Sequence, residues 1–434
     1  MTPKPNSAEL RDWFAGLMVA APIIAFPFSR THTAFFIIIL VSACVNWRIL
    51  IPDKSQKPLL LGITAIAVPV LITGLALLLL GIGWPSLLFK KLSTVLLAGI
   101  FGLATMCLIK EQPGSVRITK SAISLTVLFW IFDGIIQLIF GQDLFGVPLN
   151  NGRVGIFASH PLDFAYYFPL FAIFPIIHLY GLTDKTRFIL PGKISSLLAL
   201  ALSIVVAFSG GCRNSMLLIF IIAIAWAAIF TRETSSRYRK LIIPAFSGAV
   251  ILLGVLFYKF NDVFQQRADQ TSKIIISPGY KQAWEVLSGR LDIWQPAMEI
   301  LRKNIVFGIG PNQFRDAVLD VLRPGNYYYR NNSDYIMHSH QVLIEVALGV
   351  GIIGLACFLI YYIYTARYLF VRCGLLSVPK GFGLAGTLAF LLMWFPLGTH
   401  YNFYGSMQLY YSFYFLALGF AACPEKTDKQ TQDS

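Results

Sequence analysis

Residues 58–82 form an uninterrupted apolar stretch, PLLLGITAIAVPVLITGLALLLLGI, in which no side chain carries a charge. An α-helix rises about 1.5 Å per residue, so a helix of this length spans the roughly 30 Å hydrocarbon core of a bilayer. The stretch therefore predicts a transmembrane helix.

Similar apolar stretches recur along the whole chain of 434 residues, of which 56% are hydrophobic and only 13% are charged. Soluble domains contain about 25% charged residues, so a cytosolic enzyme, a disordered chain and a soluble secreted domain are excluded. Further stretches of spanning or near-spanning length are 13–29, 33–47, 91–109, 119–140, 162–181, 194–209, 215–230, 241–258, 341–366, 381–398 and 405–422. The predicted fold is an all-α, polytopic membrane bundle of about 12 transmembrane helices.

The positions of the basic residues set the predicted orientation of these helices. The first stretch follows Lys4 and Arg11, as in a signal peptide, but it lacks a clear cleavage site and is interpreted as a retained helix. With the N-terminus inside, 20 of the 35 lysines and arginines lie in cytoplasmic segments. The short outer loops hold only Arg30, Lys90, Lys91, Arg153 and Arg213. Both termini are therefore predicted to be cytoplasmic, and the net charge of +14 needs no nucleic-acid partner.

One long outer segment divides the chain into three predicted parts. Residues 1–258 hold nine transmembrane helices, residues 259–339 form a loop domain, and residues 340–434 hold three helices and a cytoplasmic tail. Within the loop, apolar residues recur every three or four positions, as on one helix face. They are Trp284, Leu287, Leu291, Trp294, Met298 and Leu301. Pro296 falls inside this pattern, so a kink or break is expected there.

The rest of the loop contains a turn, a short helix and a group of tyrosines. The stretch GIGPN at 308–312 predicts a tight turn, and a second short helix is expected at 313–322. The tyrosines at 327–329 either stack on sugar rings or belong to an aromatic belt at the membrane interface. The apolar stripe packs either on other loop helices or in that interface.

Two arginines are candidate anion-binding residues. Arg213 lies in the short turn GGCRNS at 210–215, where glycines let a ligand approach the backbone and a helix N-terminus favours an anion. Arg290 borders the apolar stripe, and its guanidinium fork suits bidentate phosphate binding. The alternative for Arg213 is a charge that simply terminates two spans. The alternative for Arg290 is a salt bridge to Asp292 or Glu285, or a solvated helix face.

A histidine pair, His338 and His340, lies where the loop enters the tenth span. An imidazole can accept a proton from a hydroxyl near neutral pH, so the pair supplies candidate general bases. Residues two apart do not share a helix face, so only one ring is expected to point into the site. Asp334 and Glu345 are the candidate orienting carboxylates. No third histidine or nearby cysteine completes a ligand set, so no metal site is expected.

A second cationic patch is predicted around Arg153 and His160, in the stretch NGRVGIFASHP at 151–161. Asp133 inside the fifth span and Asp163 at the head of the sixth are further functional candidates, because charges at such depths are costly. The alternative for both carboxylates is pairing inside the bundle, which is the commoner outcome.

Three stretches of the chain together resemble the O-antigen ligase and polymerase superfamily of bacterial envelope polysaccharide enzymes. They are GGCR at 210–213, SGRLDIW at 288–294 with GIGP at 308–311, and HQ at 340–341 followed nine residues later by GIIG at 351–354. The residue after the motif histidine is usually Asn in that family and is Gln341 here, a change within the polar class. The resemblance covers residues 208–356 and the hydropathy layout of the whole chain.

The resemblance implies a glycosyltransferase that joins an oligosaccharide held on undecaprenyl diphosphate to an acceptor at the periplasmic face of the inner membrane. The loop at 259–339 is then periplasmic. His340 is the implied base on the acceptor hydroxyl, with His338 as a supporting or alternative base, while Arg213 and Arg290 bind the diphosphate. Because arginine can neutralise this leaving group, direct displacement with inversion needs no metal or other cofactor.

The leading hypothesis is an O-antigen ligase with an undecaprenyl-diphosphate-linked O-antigen donor and a lipid A–core acceptor, surrounded by membrane lipids. An O-antigen or exopolysaccharide polymerase, or a protein O-oligosaccharyltransferase, of the same superfamily shares the donor and stays open. The alternative from a different class is a transporter of lipid-linked sugars. Against it, no repeat relates the two halves of the chain. No residue indicates the oligomeric state.

Overall fold

The computed structural model describes residues 6–28, 36–37, 39–40, 56–81, 85–150, 152–155, 161–181, 189–233, 244, 248, 251–252, 254–324, 326, 328, 338–372, 381–396, 398 and 402–422. These residues are almost all helical, and the described ranges contain no β-strand beyond the isolated bridges Gln142–Pro148 and Asn150–Arg153. The predicted all-α bundle is confirmed.

The helices with defined bounds cover most of the predicted spans and parts of the long loop. They are α1 (Ser7–Ile24), α2 (Lys57–Leu79), α3 (Pro85–Glu111), α4 (Ser115–Phe140), α5 (Pro161–Gly181), α6 (Ile189–Ser209), α7 (Arg213–Glu233), α8 (Asp262–Ile276), α9 (Tyr280–Val286), α10 (Leu291–Lys303), α11 (Phe314–Leu319), α12 (Val342–Arg367), α13 (Phe382–Met393) and α14 (Ser406–Ala421). A π-helical turn, Tyr368–Arg372, continues α12.

The lengths and composition of these helices fit a multi-pass membrane protein. Within the described ranges, seven helices are long and apolar enough to cross a membrane, namely α2 to α7 and α12, and α13 is a shorter apolar helix. The spans predicted at 33–47 and 241–258 lie in large part outside the described residues.

Helix α14 is largely buried and packs against α3 and α13. Two of its tyrosines also tie it to α1, because Tyr411 Oη donates to Pro22 O at 2.7 Å and Tyr414 Oη donates to Val19 O at 2.8 Å. Lipid offers no hydrophobic drive for helix association, so such interhelical hydrogen bonds and close packing hold a membrane bundle together.

Helix α12 is interrupted at Val350 and Gly351, where φ is −136° and +69°. The interruption frees the carbonyls of Leu348 and Gly349 from the helical pattern. The loop after α10 uses both of them, since Ile309 N–H donates to Leu348 O at 2.7 Å and the next N–H donates to Gly349 O at 3.1 Å. A break in a spanning helix is tolerated when neighbouring protein satisfies the freed groups in this way.

Close approach at this break requires glycine on both sides. A Cβ on Gly308 would lie 2.7 Å from Gly351 N, and a Cβ on Gly351 would lie 2.6 Å from Phe307 N. Both glycines also have a φ of +69°, which residues with a side chain rarely adopt. The two glycine motifs at 308–311 and 351–354 are therefore the two sides of one joint between the loop and α12.

The loop has an apolar cluster of its own, built by α10 and α11 against the start of α12. Its buried members are Ile293, Ala297, Ile300, Phe314, Val318 and Leu348. The predicted stripe is partly correct, because Trp294 and Leu301 pack against this cluster, but Met298 is 42% exposed. The helical conformation is interrupted between α9 and α10. The periodic spacing of apolar residues in α9 therefore does not continue into α10.

Of the kink or break predicted at Pro296, no break occurs, because helix α10 continues through this residue. Proline has no N–H to donate to the carbonyl four residues earlier, which is Asp292 O. Asn326 Nδ2 donates to that carbonyl at 2.8 Å and replaces the missing bond. The break lies earlier, at Ser288 and Gly289, where φ is +54° and +76°.

Candidate active site

Four arginines are connected by electrostatic interactions near the point where α6 ends and α7 begins. Arg213 is the first residue of α7, Arg267 lies in α8, and Arg290 immediately precedes α10. Arg213 interacts electrostatically with Arg267 and Arg290, and Arg267 interacts with Arg153 in the loop after α4. We call these four residues the arginine cluster.

Neutral acceptors hold Arg213 in place. Its Nη1 donates to Ser288 Oγ at 3.1 Å, and its Nη2 donates to Gln270 Oε1 at 2.6 Å and to Glu285 O at 3.2 Å. Gln270 Oε1 also accepts from Arg267 Nη1 at 3.2 Å, so one amide oxygen joins two guanidinium groups. These contacts connect α7 to the loop helices, which a charge that merely terminates two spans would not do.

The arginine cluster carries a positive charge that no described carboxylate pairs with. Among the residues that the structure describes, no ion pair joins a member of the cluster to a carboxylate. The Nε atoms of Arg213 and Arg267 are buried and lack a hydrogen-bond partner. Burial lowers the pKa of both Arg267 and Arg290, but arginine stays protonated in proteins. Like charges in such a setting repel, so the cluster favours a bound anion.

The turn between α9 and α10 directs Arg290 into the cluster. Ser288 and Gly289 both have left-handed backbone conformations, and Arg290 Nη1 donates back to Leu287 O at 3.2 Å. A Cβ on Gly289 would lie 3.3 Å from Trp284 Cζ2, which leaves little room for a side chain. The residues SGR at the start of the second sequence motif therefore serve to position the guanidinium.

The salt bridges considered for Arg290 do not form. Asp292 Oδ1 accepts instead from Tyr280 Oη at 2.6 Å, and Asp292 Oδ2 accepts from Trp284 Nε1 at 2.8 Å. The hydrogen bond to Asp292 raises the pKa of Tyr280 to about 12. Glu285 offers the cluster its backbone carbonyl, which Arg213 uses. Arg290 thus keeps its charge for another partner.

The rings of His338 and His340 lie side by side, with centroids 3.9 Å apart. The argument that residues two apart face different sides does not apply here, because the pair precedes α12 and His340 has a left-handed φ of +56°. His338 is buried, with 8% of its surface exposed, whereas His340 is partly exposed. His340 is therefore the more accessible ring of the pair.

Ser339 fixes the backbone between the two histidines. Its N–H and its hydroxyl both donate to Glu345 Oε2, each at 2.8 Å, and its carbonyl accepts from Trp294 Nε1 at 2.9 Å. Glu345, which is 5% exposed, thus orients the pair through Ser339 and not through a ring nitrogen. The other candidate carboxylate, Asp334, lies outside the described residues.

Gln341 anchors the same segment at the start of α12. Its Oε1 accepts from Ile344 N–H at 2.9 Å and caps the helix, and its Nε2 donates to Pro396 O at 2.7 Å. A helix N-terminus has backbone donors without helical partners, and a polar side chain at the N-cap satisfies one of them. The amide after the motif histidine therefore has a structural role.

One helical turn connects the arginine cluster to the histidine pair. Trp294, which donates to Ser339 O, follows Arg290 by one turn, and Trp294 N–H donates to Arg290 O at 2.8 Å. Residues one turn apart lie on the same helix face. The first turn of α10 therefore links Arg290 to the backbone between the two histidines.

The loop that carries Arg153 is built on two polar residues of α4. Asp133 Oδ1 accepts from Leu144 N–H at 2.9 Å, and Gln137 Oε1 accepts from Gly155 N–H at 3.0 Å. Asp133, a functional candidate in the sequence, thus has a local structural role and supports Arg153 only indirectly.

Arg267 and Gln270 are functional candidates that the sequence pattern did not single out. They lie three residues apart in α8 and so share a helix face, but the sequence does not reveal that this face meets Arg213. Arg153 interacts with Arg267, so the predicted second cationic patch merges with the first. His160, the other predicted member of that patch, lies outside the described residues.

The middle of the chain is similar to a known protein family. Residues 198–359 match the family model described as O-antigen ligase, whose members are membrane enzymes of glycosyl transfer. The match runs from α6 into α12 and includes both histidines and all of the arginine cluster except Arg153. Comparison with curated proteins gave no match. Residues 198–359 are therefore similar to the O-antigen ligase family, and they lie within a multi-pass membrane protein.

Proposed function

We propose that this protein is an O-antigen ligase that transfers a glycan from undecaprenyl diphosphate to the lipid A–core of lipopolysaccharide. The observation that supports this most strongly is an arginine cluster that forms no ion pair with a carboxylate in the described ranges, connected through the first turn of α10 to a paired histidine motif. The cluster has the charge to bind a diphosphate, and a histidine can accept the proton of a sugar hydroxyl.

In the proposed reaction the acceptor hydroxyl oxygen attacks the anomeric carbon of the donor glycan. The bond from that carbon to the diphosphate oxygen breaks, and His340 takes the hydroxyl proton, with His338 as its supporting or alternative base. Arg213 and Arg290, joined by Arg267, stabilise the charge that develops on the departing diphosphate. Attack from the side opposite the leaving group inverts the anomeric centre, and the guanidinium groups make a metal unnecessary.

We place the site on the periplasmic side of the bacterial inner membrane, with both termini in the cytoplasm. The support is the distribution of charge, because 20 of the 35 basic residues then lie in cytoplasmic segments, which resist translocation. The diphosphate would bind at the ends of the spans while the undecaprenyl chain stays in lipid.

Changing the charge of the cluster without changing its shape should impair donor use. Gln270→Glu keeps an oxygen that accepts from Arg213 and Arg267, but it adds a negative charge between them. We expect kcat/KM for the donor to fall about tenfold or more, because the carboxylate competes with the diphosphate. Arg267→Ala should lower the same quantity, whereas Gln270→Ala should have a smaller effect. Wild-type donor kinetics in Gln270→Glu would show that the diphosphate binds elsewhere.

Glu345 is expected to act as a positioning residue for the histidine pair. Glu345→Ala removes the acceptor for the N–H and hydroxyl of Ser339, so the histidines lose their fixed geometry. Misplacement on the scale of 1 Å costs up to about 100-fold in rate, and we expect kcat to fall at least tenfold while KM for the donor stays the same. Glu345→Gln keeps one acceptor oxygen and should recover part of the rate. Equal losses in both variants would contradict a positioning role.

The choice between ligase and polymerase depends on the acceptor. A deletion strain should lack all long-chain O-antigen on an intact core and should accumulate lipid-linked polymer. A core capped with a single repeating unit would instead identify a polymerase, and unglycosylated envelope protein with normal lipopolysaccharide would identify a protein O-oligosaccharyltransferase.

A further inference from the structure

A groove with a volume of about 380 Å³ runs along α10, beside the arginine cluster but separate from it. Its walls come from α10, from α9 and from the segment after α11. They include Tyr280, Gln295, Pro296, Glu299, Val321 and Asn326. One face of α10 lines the groove with Asp292, Gln295 and Glu299, because residues three and seven positions apart share a helix face.

Hydrogen bonds hold the walls of this groove in a fixed shape. Asp292 accepts from Tyr280 Oη at 2.6 Å, and its carbonyl accepts from Asn326 Nδ2 at 2.8 Å. Across the groove, Glu299 Oε1 forms a salt bridge with Arg323 Nη2 at 3.2 Å. The same oxygen forms a second salt bridge with Lys303 Nζ at 3.3 Å. A preformed groove binds a ligand without the entropic cost of ordering its own walls.

The lining suits a neutral ligand that is rich in hydroxyl groups. Glu299 is paired with cations, and Asp292 accepts from Tyr280 and Trp284, so both carboxylates of the lining already have partners within the protein. Gln295 is exposed, and its amide makes no hydrogen bond within the described part of the chain, so it offers a donor and an acceptor to a ligand. The ring of Tyr280, which is 61% exposed, and the side chains of Pro296 and Val321 supply apolar surface. A pyranose ring combines a hydroxyl rim with an apolar face and matches both surfaces.

We propose that this groove is a carbohydrate-binding subsite, which holds the sugar chain while the arginine cluster holds its diphosphate. This inference rests on the proposed function and adds a place for the glycan. Asp292, in the groove wall, follows Arg290 by two residues. Trp284 bridges the two regions, because its Nε1 donates to Asp292 and its carbonyl accepts from Gly289 N–H at 2.9 Å. A glycan that leaves the cluster therefore reaches the groove along the first turn of α10.

The test measures binding of free oligosaccharide, released from the native donor and lacking lipid and diphosphate, to the purified full-length protein. Gln295→Ala is expected to weaken this binding about fivefold, as for the loss of one or two hydrogen bonds. Met298→Ala is the matched control, because Met298 is 42% exposed on the same helix and does not line the groove. Equal affinity in the wild type and both variants would overturn the proposal. Tyr280→Ala, which removes the exposed ring and its hydrogen bond to Asp292, is a second variant that should also weaken this binding.

Kinetics then test whether the donor glycan occupies the groove. Gln295→Ala should lower kcat/KM for donors of many repeating units and spare donors of one unit. A rise confined to KM for the acceptor, at every donor length, would place the acceptor in the groove and overturn the proposal, and so would no change in either quantity. Inorganic pyrophosphate should inhibit the wild type and Gln295→Ala equally, and its failure to inhibit the wild type would count against the diphosphate site alone.

Discussion

Replacing His340 with alanine is expected to reduce kcat at least 100-fold, while the protein still folds and inserts into the membrane. A positioned general base contributes about 100-fold to 10,000-fold, and His340 is the more accessible ring of the pair. The ring is not part of the apolar core, so its removal should leave thermal stability in detergent nearly unchanged. The measurement is transfer of glycan to lipid A–core by the purified variant.

Two other histidine variants complete this test. His338→Ala should reduce kcat less than His340→Ala, because His338 supports the reacting ring. His178→Ala serves as the control. His178 lies in the last turn of α5, where its Nδ1 is 2.8 Å from Ser124 Oγ, and it is not part of the candidate site. Wild-type kcat in His340→Ala would defeat the base assignment, and if His338→Ala were then inactive, the base would be His338.

Replacing Arg213 or Arg290 with alanine is expected to lower kcat/KM for the lipid-linked donor by about 100-fold to 1000-fold. Loss of one preorganised donor to a developing negative charge has an effect of this size. Arg213→Lys and Arg290→Lys should recover only part of the loss, because an ammonium group keeps the charge but not the planar fork. KM for the acceptor should change little in all four variants.

The matched control for this series is Arg302→Ala, which removes an exposed arginine of α10 outside the cluster. Inorganic pyrophosphate provides a readout that does not depend on the acceptor. It should inhibit the wild type and Arg302→Ala, and it should inhibit Arg213→Ala and Arg290→Ala only weakly. Unchanged inhibition in the cluster variants, or a loss confined to acceptor KM, would contradict the diphosphate role.

The helices of the bundle could be predicted from sequence because each depends mainly on a local property, the length of an apolar stretch. The stretch 58–82 corresponds to α2, Lys57–Leu79, and the stretch 119–140 corresponds to α4, Ser115–Phe140. The start of α1 was placed too late. It begins at Ser7 because the preceding Asn6 caps the helix, in a polar region that hydropathy does not detect.

Contacts between distant segments could not be predicted in the same way. The motifs at 308–311 and 351–354 were recognised separately, but their union as one joint follows from hydrogen bonds that only the folded chain brings together. Pro296 was misjudged for a related reason, because the residue that replaces its missing bond, Asn326, comes from the segment after α11.

In the candidate site too, features that depend on local sequence could be predicted, and features that depend on contacts between distant segments could not. Arg213, Arg290 and His340 could be singled out because each lies in a motif near the end of a predicted helix. Arg267 could not, because its role depends on an amide oxygen of Gln270 shared with Arg213 across the loop. The side-by-side rings of the histidine pair depend on a left-handed residue before α12, which helical periodicity does not anticipate.

The most direct test of the proposed reaction is transfer by the purified protein in detergent, with EDTA present and no ion gradient. The substrates are undecaprenyl-diphosphate-linked O-antigen and lipid A–core. The proposed mechanism predicts glycosylated lipid A–core and free undecaprenyl diphosphate in equal amounts, with an inverted anomeric centre and no product from His340→Ala. A folded wild-type protein that forms no product, or forms it only with a divalent metal or a gradient, would contradict it.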